Sequence, residues 1–409
     1  MATVNMCKTL LKGRILNLNV NVLEGEVRRR CVRVNKNVLF SSKPPPGGRE
    51  RKVSWKFAMG SVGLGIAAGA GYAYYNIPSP QKTILNEGWN SKRLIIDKLP
   101  EFTPARKVTT PVDHTGLDLV LYQYPTCPFC CKVRAFLDYY GFSYSVIEVN
   151  PVLRQQMKWS EYKKVPILLA KVENGYQQMN DSSVIISALT TYLNDQHQNL
   201  TDILNFYPPV SFSEPDGKVK TEVMNRYFLM FQESLPPGRT NESLGEERKW
   251  RKWADDVLVH TLSPNVYRTL GESLQSFKWF SQVGEWERLF SSWECYLIVY
   301  VGALAMWIIG KRLKKRHNLK DDVRISLYDE CNHWVRQLNK KGSRFMGGDS
   351  PNLADLAVYG VLSSIRGCAA FEDLLRNTKI GSWYGRMQEV VENHSGAYSY
   401  NLLYRGQAI

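Results

Sequence analysis

The spacing of apolar and polar residues divides the chain into stretches of different period. Residues 117–124 alternate as a strand does, with successive side chains on opposite faces. Val133, Phe136, Leu137 and Tyr140 then recur at helical spacing between residues 128 and 140, and Gly141 is placed to end that helix. Residues 144–149 read as a second strand, and 151–162 as a short helix. Residues 165–170, an Asn174-Gly175 turn and residues 176–179 predict a hairpin. Asp181 and Ser182 open a helix whose inner face is Val184, Ile185, Ala188, Leu189 and Leu193. The order is strand, helix, strand, helix, strand, strand, helix, and it is complete by about residue 195.

Beyond a connector around Pro208 and Pro209 the pattern reads as almost entirely helical. Trp250, Trp253, Val257 and Leu258 fall on one stripe. Residues 296–310 are apolar and are followed by Lys311-Arg312-Leu313-Lys314-Lys315-Arg316. Fifteen residues are short for a bilayer, so this segment is expected as a buried helix of a helical domain. Residues 57–75 differ: they are 19 uncharged residues with Gly65 and Gly69 in a GxxxG pair, and they predict a single membrane span. The resulting boundaries are a basic leader or disordered arm at 1–56, the span at 57–75, a linker at 76–100, an α/β domain at 101–195, an all-helical domain at 210–395 and a tail at 396–409.

The 409 residues carry 53 basic and 38 acidic side chains, a net charge of +15 that invites a nucleic-acid reading. Its distribution argues against one. The leader alone holds 13 basic and 3 acidic residues, and no basic stripe interleaved with aromatics follows it. That leader is Arg-rich and acid-poor, as mitochondrial transit peptides are. Of the eight cysteines, Cys127, Cys130 and Cys131 cluster while the others are scattered, which suits a reducing compartment and one reactive thiol site rather than a disulfide framework.

That site is Thr126-Cys127-Pro128-Phe129-Cys130, where a predicted strand ends and a helix begins. A helix N-terminus offers unpaired amides and the positive end of the dipole, and both favour a thiolate at Cys127. Pro128 fits the first turn, where its missing N–H is no loss. Zinc would need about four ligands, and Cys131 and His114 bring no second pair.

This segment resembles glutaredoxins and, beyond them, glutathione transferases. The resemblance makes Pro166 the cis-proline of a thioredoxin-like fold, with Val165 pairing glutathione's peptide backbone and Asp181-Ser182 receiving its γ-glutamyl carboxylate at a helix N-terminus. Asn352-Leu353-Ala354-Asp355 resembles the capping box of a central glutathione-transferase helix. Over residues 101–395 the chain is similar to the membrane-associated prostaglandin E synthase 2 family, in runs such as Lys132-Val133-Arg134-Ala135-Phe136-Leu137-Asp138 and Lys164-Val165-Pro166-Ile167-Leu168. The expected fold is therefore a glutaredoxin-type α/β domain followed by an all-α domain of glutathione-transferase type.

The resemblance implies isomerisation of the lipid endoperoxide prostaglandin H2 to prostaglandin E2 with glutathione as cofactor. Cys127 is then the catalytic thiol, Tyr124 a proton donor, Cys130 a tuning or resolving thiol, and Phe129 a wall of the lipid pocket. It further implies a homodimer at the Golgi membrane and in the cytoplasm, with the mitochondrion as the alternative. A haem-and-glutathione form, with His260, Arg312 and Arg316 at the propionates, would break the endoperoxide down instead. A general thiol–disulfide oxidoreductase is the remaining reading of Cys127 and Cys130. Cys131 is a third thiol that departs from the family pattern and leaves a different resolving chemistry open.

Overall fold

The computed structural model describes residues 83–85, 89–213, 219–230, 235 and 238–397. The leader, the 57–75 stretch, the start of the linker and the tail beyond residue 397 lie outside these residues. Strands β1 (Thr83–Leu85), β2 (Ile95–Ile96), β3 (Arg106–Val108) and β4 (Leu119–Gln123) lead to helix α1 (Pro128–Tyr139). Then come β5 (Tyr144–Glu148), β6 (Ile167–Val172), β7 (Gly175–Asn180) and α2 (Ser182–Asn194). One sheet has the order β2-β7-β6-β4-β5-β3, with β4 parallel to β5 and antiparallel to β6. The predicted order of elements is therefore present, with edge strands β2 and β3 added. Because β2 pairs with β7, the stretch read as a linker takes part in the sheet. Residues 151–162 hold only a 3₁₀ turn, Gln155–Met157, rather than the expected helix.

Alternation along β4 separates two cores. Leu119 and Leu121 join Val133, Phe136, Leu137 and the helical half, whereas Val120 and Tyr122 pack with Ile147, Ile167 and Leu169 on the other face. The hairpin turns at Gly175, whose φ of +131° an L side chain would rarely adopt.

A short helix, α3 (Leu200–Leu204), precedes a hairpin, β8 (Pro209–Ser213) and β9 (Val219–Val223), which forms a separate three-stranded sheet with β1. This corrects the expectation of a helical remainder: the alternation Val219-Lys220-Thr221-Glu222-Val223 is that of a strand. Helices α4 (Asn241–Trp253), α5 (Val259–Val266), α6 (Leu270–Val283), α7 (Trp286–Leu289), α8 (Ser292–Tyr296) and α9 (Gly302–Arg316) follow. The series ends with α10 (Val323–Lys341), α11 (Leu353–Ser363), α12 (Ala369–Asn377) and α13 (Ile380–Glu392).

Two π turns alter the helical register. Ala254–Leu258 joins α4 to α5, and its wider turn carries Val257 to the surface while Leu258 stays buried. Val257 therefore leaves the stripe assigned to it. Leu297–Val301 joins α8 to α9, so that residues 292–316 form one helix long and apolar enough to cross a membrane. The expectation of a buried helix at 296–310 fails. Only one face, with Cys295, Ile298, Val299, Ala303 and Gly310, is buried; Trp293, Tyr296, Tyr300, Val301 and Leu304 are exposed.

The helical half docks on α1 through α11. The capping box forms as predicted: Asn352 accepts from the Ala354 N–H at 2.9 Å, and Asp355 accepts from the Asn352 N–H at 3.1 Å. Asp355 also accepts from Met346, Gly347 and the Trp383 indole N–H. Gly360 then lies against the backbone of α1, where an added Cβ would stand 2.5 Å from Lys132 Cα.

Lys132 is buried, and its ammonium is paired with Asp255 in the π turn. Asp255 also accepts from Ser183 Oγ at 2.8 Å and Tyr227 Oη at 3.0 Å. Burial pushes its carboxyl up, but the charge and hydrogen bond of Lys132, with the hydrogen bonds from Ser183 and Tyr227, outweigh that and hold it below the ordinary range. Arg251, also buried, donates to Ser183 O, Ser187 Oγ and Tyr227 O.

Two stability measurements follow. Gly360→Ala forces backbone apart and should cost about 1–3 kcal/mol in urea unfolding; no loss would mean that α11 does not approach α1 so closely. Lys132→Met leaves a buried carboxylate unpaired and should cost about 3–5 kcal/mol at pH 7. The ionised Asp255 contributes fully above the ordinary aspartate value of about 3.9 and is lost as pH falls through its lower folded value. The gap between wild type and Lys132→Met should therefore narrow below about pH 4, and a constant gap would contradict the pairing.

Candidate thiol and glutathione site

Cys127 is the N-cap of α1, with Pro128 at the first helical position, as the sequence suggested. It is half-buried, whereas Cys130 and Cys131 are buried. Hydrogen bonding from the Cys130 side chain is the strongest influence on Cys127. Burial opposes it, but the backbone N–H groups of Cys130 and Phe129 and the Arg134 charge add to it, so the thiol is more acidic than usual. Cys130 is driven well above the ordinary thiol value, by burial first and then by its bond to Cys127. The two sulfurs thus divide into a donor and an acceptor.

Cys131 points elsewhere. Its sulfur donates to Pro125 O at 3.4 Å and receives Arg134 Nη2 at 3.1 Å, and burial pushes its thiol up to about 11. Arg134 also donates to Gln123 Oε1 and Pro125 O, each at 2.7 Å, and so braces the loop between β4 and α1.

Tyr124 is half-buried, and its hydroxyl is raised by burial; Arg154 hydrogen-bonds it and opposes the shift, while Cys127 and Cys130 face it electrostatically. Arg154 carries no sequence motif; it stands in the left-handed region at φ +51°. Tyr162 escaped the sequence reading as well. Burial and the Asp181 charge raise it to about 12, it accepts from the Asp181 backbone N–H, and both thiols act on it. Tyr267, at the end of α5, is raised by burial and also feels Cys127, which brings the helical half to the thiol.

The Val165–Pro166 bond is cis, with Pro166 buried and Val165 half-buried. Asp181 caps α2, accepting from the Ser183 and Val184 N–H groups at 2.8 and 3.3 Å, and Ser182 is buried beside it. Phe129 is half-buried, with the Lys132 ammonium 5.4 Å from its ring centre.

The three candidate haem residues form a looser set. His260 stacks on His317 with ring centres 4.1 Å apart; burial lowers its pKa, and Arg316 lowers it further against the pull of Asp256. Arg312 and Arg316 are exposed. A groove of about 940 Å³ lined by Lys278, Cys295, Tyr296 and Tyr300 shares no residue with the thiol site.

The Cys130 bond yields a titration test. The pH dependence of iodoacetamide alkylation at Cys127 should have its inflection below the ordinary thiol value of about 8.5. Cys130→Ala should move it upward, and an unmoved inflection would remove Cys130 as its cause.

The glutaredoxin family profile matches residues 119–172, from β4 to the end of β6. Among solved structures, an apo glutathione S-transferase III aligns with 67% of this chain and 95% of its own at 12% identity and a TM-score of 0.37, too low to argue from. Two curated relatives are far more similar. Zebrafish (Danio rerio) prostaglandin E synthase 2 is 50% identical over 285 residues, 69% of this chain and 73% of its own. The mouse (Mus musculus) protein of the same name is 50% identical over 290 residues, 70% and 73% of the respective chains. With that identity over nearly three quarters of its relatives' length, on a glutaredoxin-type sheet with an acidified N-cap thiol, the chain belongs to the prostaglandin E synthase 2 family.

Proposed function

We propose that Cys127 provides the thiol chemistry of a glutathione-linked prostaglandin E synthase, which isomerises the endoperoxide of prostaglandin H2 to the hydroxyketone of prostaglandin E2. The observation that carries the assignment of Cys127 is its acidified thiol, on a half-buried residue at the start of α1, beside two buried thiols that are not acidified. Either this sulfur or that of glutathione held beside it attacks one peroxide oxygen. A sulfur–oxygen bond forms, the O–O bond breaks, and the second oxygen leaves as an alkoxide. Tyr124, which Arg154 orients, protonates that alkoxide. Loss of the proton on the carbon bearing the sulfur-bound oxygen then makes the ketone and returns the thiolate. One carbon is oxidised by two electrons and the two peroxide oxygens are reduced by one each, so no external oxidant is needed. Glutathione lies along Phe129, Val165, Pro166, Asp181 and Ser182 in this reading, with residues 101–195 and 210–395 as the two functional halves.

A haem carried beside glutathione would be held at its propionates by His260, Arg312 and Arg316. Imidazole and guanidinium suit carboxylates, and Arg316 acts electrostatically on His260. When bound, the group supplies an iron able to take a thiolate sulfur. The exposed apolar face of residues 292–316, with Lys311, Arg312, Lys315 and Arg316 in its last turns, supports attachment to a membrane; the Golgi membrane and cytoplasm as the place, and a homodimer as the working form, rest on the family resemblance alone.

Prostaglandin E2 formation by purified single variants tests the assignment. Cys127→Ser should abolish turnover, Tyr124→Phe should lower it on the order of 10²–10⁴-fold, and Cys130→Ser should retain much of it. Full activity in folded Cys127→Ser would overturn the thiol mechanism. Equal loss in Cys130→Ser would favour a dithiol oxidoreductase, which needs a second thiol to release its mixed disulfide.

A further inference from the structure

The loop after β9 is held more firmly than a connector requires. Three consecutive carbonyls each accept a side-chain hydrogen bond from a different element. Ser187 Oγ of α2 donates to Arg226 O at 2.7 Å, Arg251 Nη1 of α4 to Tyr227 O at 3.1 Å, and Tyr207 Oη to Phe228 O at 2.8 Å. The Tyr227 hydroxyl donates to Asp255 and in turn receives a hydrogen bond from the Arg226 guanidinium. This clamp fixes the backbone from which Arg226 reaches the start of α2, with Nη1 3.5 Å from Asp181 Oδ2.

We propose that Arg226 and Asp181 together recognise the γ-glutamyl end of glutathione, Arg226 binding its α-carboxylate and Asp181 its α-ammonium. The inference rests on the glutathione reading above and adds to it a residue from outside the glutaredoxin-type domain. Asp181 spends Oδ1 on capping α2, which leaves Oδ2 to meet a cation. At 3.5 Å the contact with Arg226 is longer than a good hydrogen bond, and the side chains remain 23% and 32% exposed, so Asp181 Oδ2 and the donors that Arg226 does not spend on Tyr227 can turn to a ligand. The Ser182 amide at the first turn of α2 has no partner among the described residues and lies where a carboxylate would be received. A γ-glutamyl group carries an ammonium and a carboxylate on one carbon, which an opposed Asp–Arg pair matches in sign without net charge. Tyr162, bonded to the Asp181 backbone and within the field of Cys127, places the pair on the path from the thiol.

Calorimetry on the full chain tests this with S-methylglutathione and S-methyl-cysteinylglycine, which differ only by the γ-glutamyl group. Deleting that group should weaken binding to wild type strongly. In Arg226→Ala the same deletion should cost at least tenfold less, with Arg226→Lys intermediate and circular dichroism unchanged for both. An equal penalty in wild type and Arg226→Ala would overturn the assignment, as would a general loss of affinity for both ligands. A wild-type chain that binds neither compound would overturn the glutathione reading itself, and this one with it.

Discussion

The buried Lys132–Asp255 ion pair ties the reactive helix to everything around it. Burial makes each charge expensive alone, so each must be fully partnered. Lys132 comes from α1, Asp255 from the turn between α4 and α5, and the remaining donors to Asp255 are Ser183 at the start of α2 and Tyr227 of the loop after β9. One carboxylate thereby brings the thiol helix, the helix capped by Asp181 and the loop bearing Arg226 to a common point. Gly360 removes the last obstacle, because a larger residue would hold α11 off the backbone of α1.

The same logic explains why three neighbouring cysteines behave differently. Cys127 lies outside the helix, where amides and the Cys130 thiol converge on it. Cys130 and Cys131 are one turn further in, and the environment that acidifies the first sulfur leaves theirs protonated. Acidity here is set by position along a single helical turn. Arg134, which braces the loop and contacts Cys131, draws both thiols down, but at Cys131 burial outweighs it.

Much of the α/β half could be read from the chain because its signals are local. Alternation marks β4, Asn174-Gly175 the hairpin, Asp181 a cap, and Thr126-Cys127-Pro128 a helix start. The helical half was less legible. Periodicity assumes a constant turn, and the π turns break it, which is why Val257 faces outward and why residues 296–310 extend into a longer helix exposed along one side. The hairpin β8–β9 was hidden in a connector judged by its prolines. Tyr162, Arg154, Tyr267 and Arg226 carried no pattern, since only tertiary packing brings them near Cys127 or Asp181.

The two π turns bear on how chain length can vary among descendants of this fold. Each holds one residue more than the α-turn it replaces, so each is a place where a single codon could be lost without breaking the helix. The outcomes would differ. Losing a residue at 297–301 would swing the distal, basic part of that helix by about 100° about its axis and redirect its exposed side. Losing one at 254–258 would turn Asp255 from Lys132 and leave both charges stranded in the interior. Length variation should therefore accumulate at 297–301 and be purged from 254–258.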